Sequence, residues 1–298
     1  MTTTSAVSLS LPSGLRPGGR FDVWCGKAAR LVVCDIDGTL LGPFRKPPVS
    51  VIEAVGVAQH AGLRVGVATG REWAGVERLA RLLTLRGPHV LQSGAEVRDG
   101  SVVVERWPLP RTLARALLDL AADRGWYAEF AVDSGVVATD GPSSHPAHLA
   151  LLEAKPVGRA EDLDLERDVV LKATVMVFDP TELTPTLAAL EGIGANVTVE
   201  SPPSRPTLRY VNVTKPDVDK GRALRTAAIH IGVEWDAVAV IGDRVNDLPL
   251  LTAGGTAIAM GQSPDRVKAV AHLVAPSVSR DGAAVALNAL TGSLRAIT

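Results

Sequence analysis

The sequence predicts an α/β fold, a doubly wound parallel sheet of the Rossmann-like kind interrupted by an inserted α+β unit. Three observations carry this. Short, continuous apolar runs, led by Leu31, Val32, Val33 and Cys34, alternate with segments of helical spacing. The runs end in turn-prone loops, as central parallel strands do. The alternation gives way to hairpin patterns near residue 96 and resumes after a Pro-rich stretch at 201–206. With 298 residues, 46% of them hydrophobic, the chain can bury a full core and divide into two domains.

The elements follow in order. Residues 1–29 show no clear period and read as a loosely packed extension. After the strand at 31–34, Val51, Ile52, Val55 and Ala58 mark a helix over 49–61, with Ser50 as its N-cap and Gly62 as its stop. A second strand, 63–68, runs into Thr69, Gly70 and Arg71, and 73–83 is again helical. A third strand at 89–91 precedes a hairpin over 96–105 turning at Asp99-Gly100. A helix over 111–123, a hairpin over 128–139, a strand over 169–178 and a helix near 181–191 compose the inserted part. A strand at 207–213 then leads back, and Asp219 caps a helix from Lys220 to Ile231 that Gly232 stops, before a strand at 237–241. The predicted division is an extension at 1–29, a core at 30–103 and 207–298, and an inserted domain at 104–206.

The bulk numbers exclude several classes. A net charge of -1 argues against a broad electrostatic grip on nucleic acid or anionic membrane. The two cysteines, Cys25 and Cys34, form no disulfide framework or thiolate cluster, which fits a reducing compartment. No run reaches the roughly 20 apolar residues of a membrane helix, and the start lacks a secretory pattern, so the cytoplasm is the expected location. The expected partner is a small molecule, with a monomer or homodimer as the assembly.

Asp35 and Asp37 lie one residue apart at the end of the first strand, where ligands of open α/β sheets bind. Gly38 permits the sharp backbone path there. Two crowded carboxylates need a cation or a proton, and Mg²⁺ suits a site of one or two carboxylates, waters and a substrate phosphate. Taken alone, the pair reads equally well as turn or cap residues. Four loops at predicted strand ends or helix starts decide the matter together: DIDGTLL at 35–41, ATGR at 68–71, DKG at 219–221 and GDRVND at 242–247.

In content and order these loops resemble the haloacid dehalogenase superfamily, and within it the Cof-type phosphatases. The likeness extends from about residue 31 to 290 and includes Asp281-Gly282. It implies a core of that family carrying an inserted α/β cap, and Mg²⁺-dependent hydrolysis of a small phosphorylated metabolite, a sugar phosphate first among them. Asp35 is then the nucleophile, giving an aspartyl phosphate. Asp37 protonates the leaving oxygen and later takes a proton from water. Thr69 donates to a phosphoryl oxygen, and Lys220, at a helix start, neutralises phosphate and carboxylate. Asp35, the main-chain carbonyl of Asp37 and Asp243 are the implied metal ligands, with Asn246 and Asp247 positioning metal waters or Lys220. Gly38, Thr39, Gly70 and Arg71 support the loops.

Three positions depart from the family's pattern: Arg244 fills a slot more often small or polar, Ser93 replaces an Asn, and Gln262 replaces another. Candidate cap contacts to the leaving group are His145, His148, Lys172 and Arg205, each also readable as an ordinary surface residue. Trp126 and Tyr127 suit either sugar stacking or the cap's own core. A phosphomutase and a non-catalytic phosphometabolite sensor are the alternative functions.

Overall fold

The computed structural model describes residues 13–20, 28–42, 46–139, 156–201 and 207–295. In chain order, the first strands are β1 (Arg16–Pro17), β2 (Leu31–Cys34) and β3 (Arg64–Val67), with helices α1 (Val49–His60) and α2 (Glu77–Leu82). A small sheet holds β4 (His89–Leu91), β5 (Glu96–Asp99) and β6 (Val102–Arg106). Helix α3 (Arg111–Arg124) precedes β7 (Ala128–Val132), β8 (Gly135–Ala138), β9 (Gly158–Arg159) and β10 (Lys172–Val177). Helix α4 (Leu183–Gly192), β11 (Asn196–Glu200) and β12 (Arg209–Thr214) follow. The chain then forms α5 (Lys220–His230), β13 (Val238–Gly242), α6 (Leu248–Ala253), β14 (Thr256–Ala259), α7 (Asp265–Lys268), β15 (Leu273–Val274) and α8 (Gly282–Arg295).

The core sheet has the order β1-β15-β14-β13-β2-β3, parallel except for β1. Chain order moves outward on one side of β2 through β3 and on the other through β13, β14 and β15. The reversal lies between β2 and β13, and such a switch point opens a crevice at the strands' carboxyl ends. The strands are apolar throughout because both faces are covered. Val32, Cys34, Val65, Val67, Ala239 and Ile241 pack toward α1 and α8, whereas Leu31, Val33, Val238 and Val240 pack toward α5 and α6. Burial of each such Val, Leu or Ile contributes about 1.5–3 kcal/mol.

The second sheet, β11-β12-β10-β7-β8-β9, is antiparallel apart from the β8–β9 pair. Its strands alternate. Phe130, Val132, Ala173, Val175, Val211 and Val213 bury one face with Leu113 and Leu117 of α3 and Leu190 of α4. The opposite face mixes polar residues, Thr174, Asn212 and Glu129 among them, with a smaller apolar cluster of Tyr127, Ala138, Met176 and Leu208.

Several expectations need correction. The strand after the Pro-rich stretch was expected to return the chain to the core; as β12 it pairs with β10 and β11, so the second sheet extends to Thr214. Alternation identifies a strand but not its partners. At the other boundary, β6 crosses residue 103 because it completes the β4-β5-β6 sheet. Within the extension at 1–29, Arg16–Pro17 is a strand on β15. Helix α1 is preceded by Pro48 rather than capped by Ser50, whose hydroxyl is buried without a partner. Pro fits a first helical turn because its missing N–H is unneeded there. The helix expected over 73–83 is a short 3₁₀ turn at Trp73–Gly75 followed by α2, and β11 had no sequence reading at all. Asp219 does cap α5, accepting from the Arg222 N–H at 2.8 Å.

Candidate active site

The carboxyl ends of β2, β3 and β13 and the start of α5 converge at the switch point. Asp35 follows β2 directly, and its main chain is fixed by donation to the Ile241 carbonyl at 2.8 Å. Its side chain meets Lys220, which α5 delivers from 185 residues away: Nζ donates to Asp35 Oδ1 at 2.9 Å and to Asp247 Oδ1 at 2.7 Å. Lys220 and Asp247 are almost wholly buried, and Asp35 is 6% exposed. The start of α5 seats closely because Gly94 packs on it; at φ +105, a Cβ there would lie 2.4 Å from Asp219 backbone.

Asp35, Asp243 and Asp247 bring carboxylate oxygens within 4.8 Å of one another, all buried. Three carboxylates against the Lys220 ammonium and the Arg244 guanidinium, 3.6 Å from Asp243, still leave an excess of negative charge in a low-dielectric place. Burial, and then Asp247, push the Asp35 carboxyl well above the usual range despite Lys220. The same two causes raise Asp243 to about 6, with Arg244 pulling the other way. Burial opposes the charge on Lys220, but Asp247 and Asp35 outweigh it and hold the ammonium protonated. A divalent cation supplies the charge that this cluster lacks, so the donor set fits one.

The three carboxylates are differently engaged. Asp247 Oδ1 accepts from Lys220, while Oδ2 accepts from the Asp243 and Arg244 N–H groups, each at 3.1 Å. It is a buttress with little lone-pair capacity left. Asp243 is held loosely, by Thr39 Oγ1 and Gln262 Nε2 at 3.4 Å each and by the Arg244 guanidinium at 3.6 Å, and its oxygens keep room for a ligand. Gly38, at φ +104, passes so close that a Cβ would lie 2.2 Å from Asp243 Oδ2. The carbonyl of Gly38 accepts from Gln262 at 2.7 Å, and Gln262 Oε1 accepts from the Val278 N–H at 2.9 Å. The longer Gln thus ties the loops that carry Gly38 and Asp243 to the 276–280 segment.

Asp37 lies apart from the carboxylate cluster. Both its oxygens accept from Arg71, Nε at 2.9 Å and Nη2 at 2.7 Å, a bidentate clamp. Thr69 is buried, with its hydroxyl accepting from the Arg71 N–H at 3.2 Å. Asn246 reaches away from the cluster to Glu200 Oε1 at 2.8 Å, not to Lys220.

Glu200 ends β11, and the second sheet therefore touches the core loops here. Lys172 on β10 donates to the Gly70 carbonyl at 2.7 Å, and Arg244 donates to the Ser201 carbonyl. Lys172, which the sequence offers as a leaving-group contact or a solvated strand residue, thus bonds a core loop. Glu200 carries no expectation from the sequence, although the alternation of Val197, Thr198, Val199 and Glu200 places a carboxylate last on an alternating strand. Among the aromatics, Trp126 packs with the second sheet's main apolar cluster, in line with the core reading, whereas Tyr127, buried and donating to Glu129 at 3.2 Å, packs with Ala138, Met176 and Leu208 on the opposite face. His145, His148 and Arg205 lie outside the described residues.

A switch-point crevice lined by buried carboxylates and one lysine, with a second sheet laid across it, defines a capped α/β hydrolase. A model of haloacid dehalogenase-like hydrolases matches residues 32–287, and the chain belongs to that family, with the Cof-type motif order. It is similar to a phosphoglycolate phosphatase of Methanopyrus kandleri, 26% identical over 260 residues that cover 87% of this chain and 96% of the relative. The pyridoxal phosphate phosphatase YbhA of Escherichia coli is 27% identical over 259 residues, covering 82% and 92%. Among solved structures, a protein from Geobacillus kaustophilus superposes with a TM-score of 0.74 at 26% identity, covering 88% of this chain and 98% of the other. The HAD subclass IIB sugar phosphatase BT4131 shares the fold, with a TM-score of 0.74 at 22% identity and coverage of 87% and 98%. No described helix is long and apolar enough to cross a membrane.

Proposed function

We propose that this protein is a Mg²⁺-dependent phosphomonoester hydrolase acting on a small phosphorylated metabolite, a sugar phosphate by preference, through an aspartyl phosphate on Asp35. The buried bridge from Lys220 to Asp35 and Asp247 is the observation that carries this reading. It points a carboxylate oxygen and a fixed positive charge at one spot, as attack on a phosphoryl group requires. The similarity to proteins named phosphatases supports the same reading.

Asp35 attacks phosphorus and the bond to the leaving oxygen breaks, with Asp37 giving that oxygen its proton. Water then attacks phosphorus and yields a proton to Asp37, and the Asp35–phosphorus bond breaks to release phosphate. Arg71 now engages both Asp37 oxygens, so proton transfer requires the clamp to free one of them. Thr69 donates its hydroxyl to a phosphoryl oxygen, and Lys220 neutralises charge. Asp35, Asp243 and the Asp37 carbonyl would hold Mg²⁺, which when bound offsets phosphate charge. Gly38, Thr39, Gly70, Arg71 and Asp247 hold these groups in place, while Asn246 ties the same loop to Glu200 of the second sheet. The second sheet with α3 and α4 acts as a cap on the core, closing over the leaving group.

Inorganic phosphate release from phosphorylated sugars and an aryl phosphate, with and without Mg²⁺, tests this beside Asp35→Asn. The variant should lose at least about 10³-fold in rate while melting no lower than the parent, since burial disfavours the Asp35 charge. Turnover retained in the variant removes Asp35 from the nucleophile role. Transfer of phosphoryl back to substrate without phosphate release would identify a mutase.

A further inference from the structure

The polar part of the second sheet's other face, beside the Tyr127, Ala138, Met176 and Leu208 cluster, can be read residue by residue from the register. Thr198, Asn212, Thr174 and Glu129 stand directly opposite one another across four strands and therefore project to one side. Two residues along each strand, Lys172 and Glu200 share that side. The face is turned to the core, since Lys172 bonds the Gly70 carbonyl and Glu200 bonds Asn246. Thr174 and Asn212 satisfy each other at 2.9 Å, but the Thr198 hydroxyl is buried without a partner.

The charges on this face are unevenly matched. Glu200, Glu129 and Glu72 all act on the Lys172 ammonium, whose proton affinity burial lowers. Glu72 enters from the core loop just after Arg71. Glu200 has a neutral partner in Asn246 and lies against Gly70, and Lys172 donates to the Gly70 carbonyl, so the ammonium and the Glu200 carboxylate face the same space with no bond between them. One ammonium bond is made of three possible, and Glu200 retains lone pairs.

Building on the phosphatase reading, we infer that Lys172, Glu200 and Glu72 form a leaving-group subsite selective for a neutral, polyhydroxylated group carrying no second phosphate or carboxylate. A hydroxyl accepts from Lys172 and donates to a glutamate at once, so it satisfies both kinds of group. A second anion only accepts. It gains one ammonium but sets its charge beside Glu72 and Glu200 in a confined, partly dehydrated space, which is the usual way a site rejects a wrong ligand.

The test is a matched pair differing only in the terminal group, sorbitol 6-phosphate and 6-phosphogluconate, with kcat/KM measured for the parent, Glu200→Gln and Glu72→Gln, and an aryl phosphate alongside. The parent should favour the neutral substrate by about tenfold or more, and each isosteric variant should shrink that ratio several-fold, about the worth of one charge contact. Equal use of the two substrates, a preference for the acid, or a ratio unmoved in both variants overturns the subsite while phosphate release from the aryl compound leaves the phosphatase reading standing. Absence of release from every compound, the aryl phosphate included, removes that reading and the subsite with it.

Discussion

The two six-stranded sheets handle polarity in opposite ways. The core sheet is apolar on both faces and concentrates its ionisable groups at one edge, where Asp35, Asp243, Asp247 and Lys220 are buried and cross-linked. The second sheet sets its polar groups, the Thr174–Asn212 pair and the charged Lys172 and Glu200, side by side with an apolar cluster on its core-facing side. The difference teaches where precision resides. A phosphoryl group is the same in every substrate, so its site can be rigid and charged; leaving groups vary, and a broad face of separate donors and acceptors suits them.

Removing Lys220 is the strongest way to break this contrast. Lys220→Met strands Asp35 and Asp247 as buried carboxylates, and a loss of about 3–5 kcal/mol is expected in denaturant unfolding, together with loss of phosphate release. A stable variant would mean that the cluster is already largely protonated.

The pH dependence sharpens the same point away from the carboxylate cluster. His89 on β4 is buried and stacked on Trp73 at 5.6 Å, with Nδ1 unpartnered, and burial lowers its pKa to about 4. A base whose folded pKa is depressed binds fewer protons folded than unfolded, so its stabilising effect is present above about 6.5 and is lost as pH falls toward about 4. That window should cost about 3 kcal/mol, and His89→Asn should flatten the slope in unfolding measured at successive pH values. An unchanged slope would place the acid sensitivity in other groups.

The smallest expected effect belongs to the second sheet. Thr174→Val leaves the Asn212 carbonyl oxygen without its donor, which should lower stability by about 1–3 kcal/mol. It should also raise KM for a sugar phosphate more than it lowers kcat. A fall in kcat alone would mean that this face acts on the chemical step.

The sequence made the core edge readable because its groups sit in loops adjacent to their strands: Asp35 follows β2 and Asp243 follows β13, and no long-range information was needed to find them. Lys220 was readable from its helix start. The Arg71 clamp on Asp37 and the bond from Asn246 to Glu200 were not, because side-chain pairing between distant loops follows from rotamers and register. The assignment of β12 failed for a related reason. Its alternation suits either sheet, and only pairing with β10 and β11 decides. Gln262 and Arg244 were visible as departures, but their bonds to Gly38 and Ser201 gave them meaning.

The two-residue strand β1 lies antiparallel along β15 at the rim of the core sheet, continued by bonds from Gly18 to His272 and from Arg20 to Ala271. A strand rim left bare is a template on which another chain can extend the sheet. This short stretch ahead of the core thus serves as a bumper, and trimming the chain to its recognisable family region would trade a tidy boundary for stickiness between molecules.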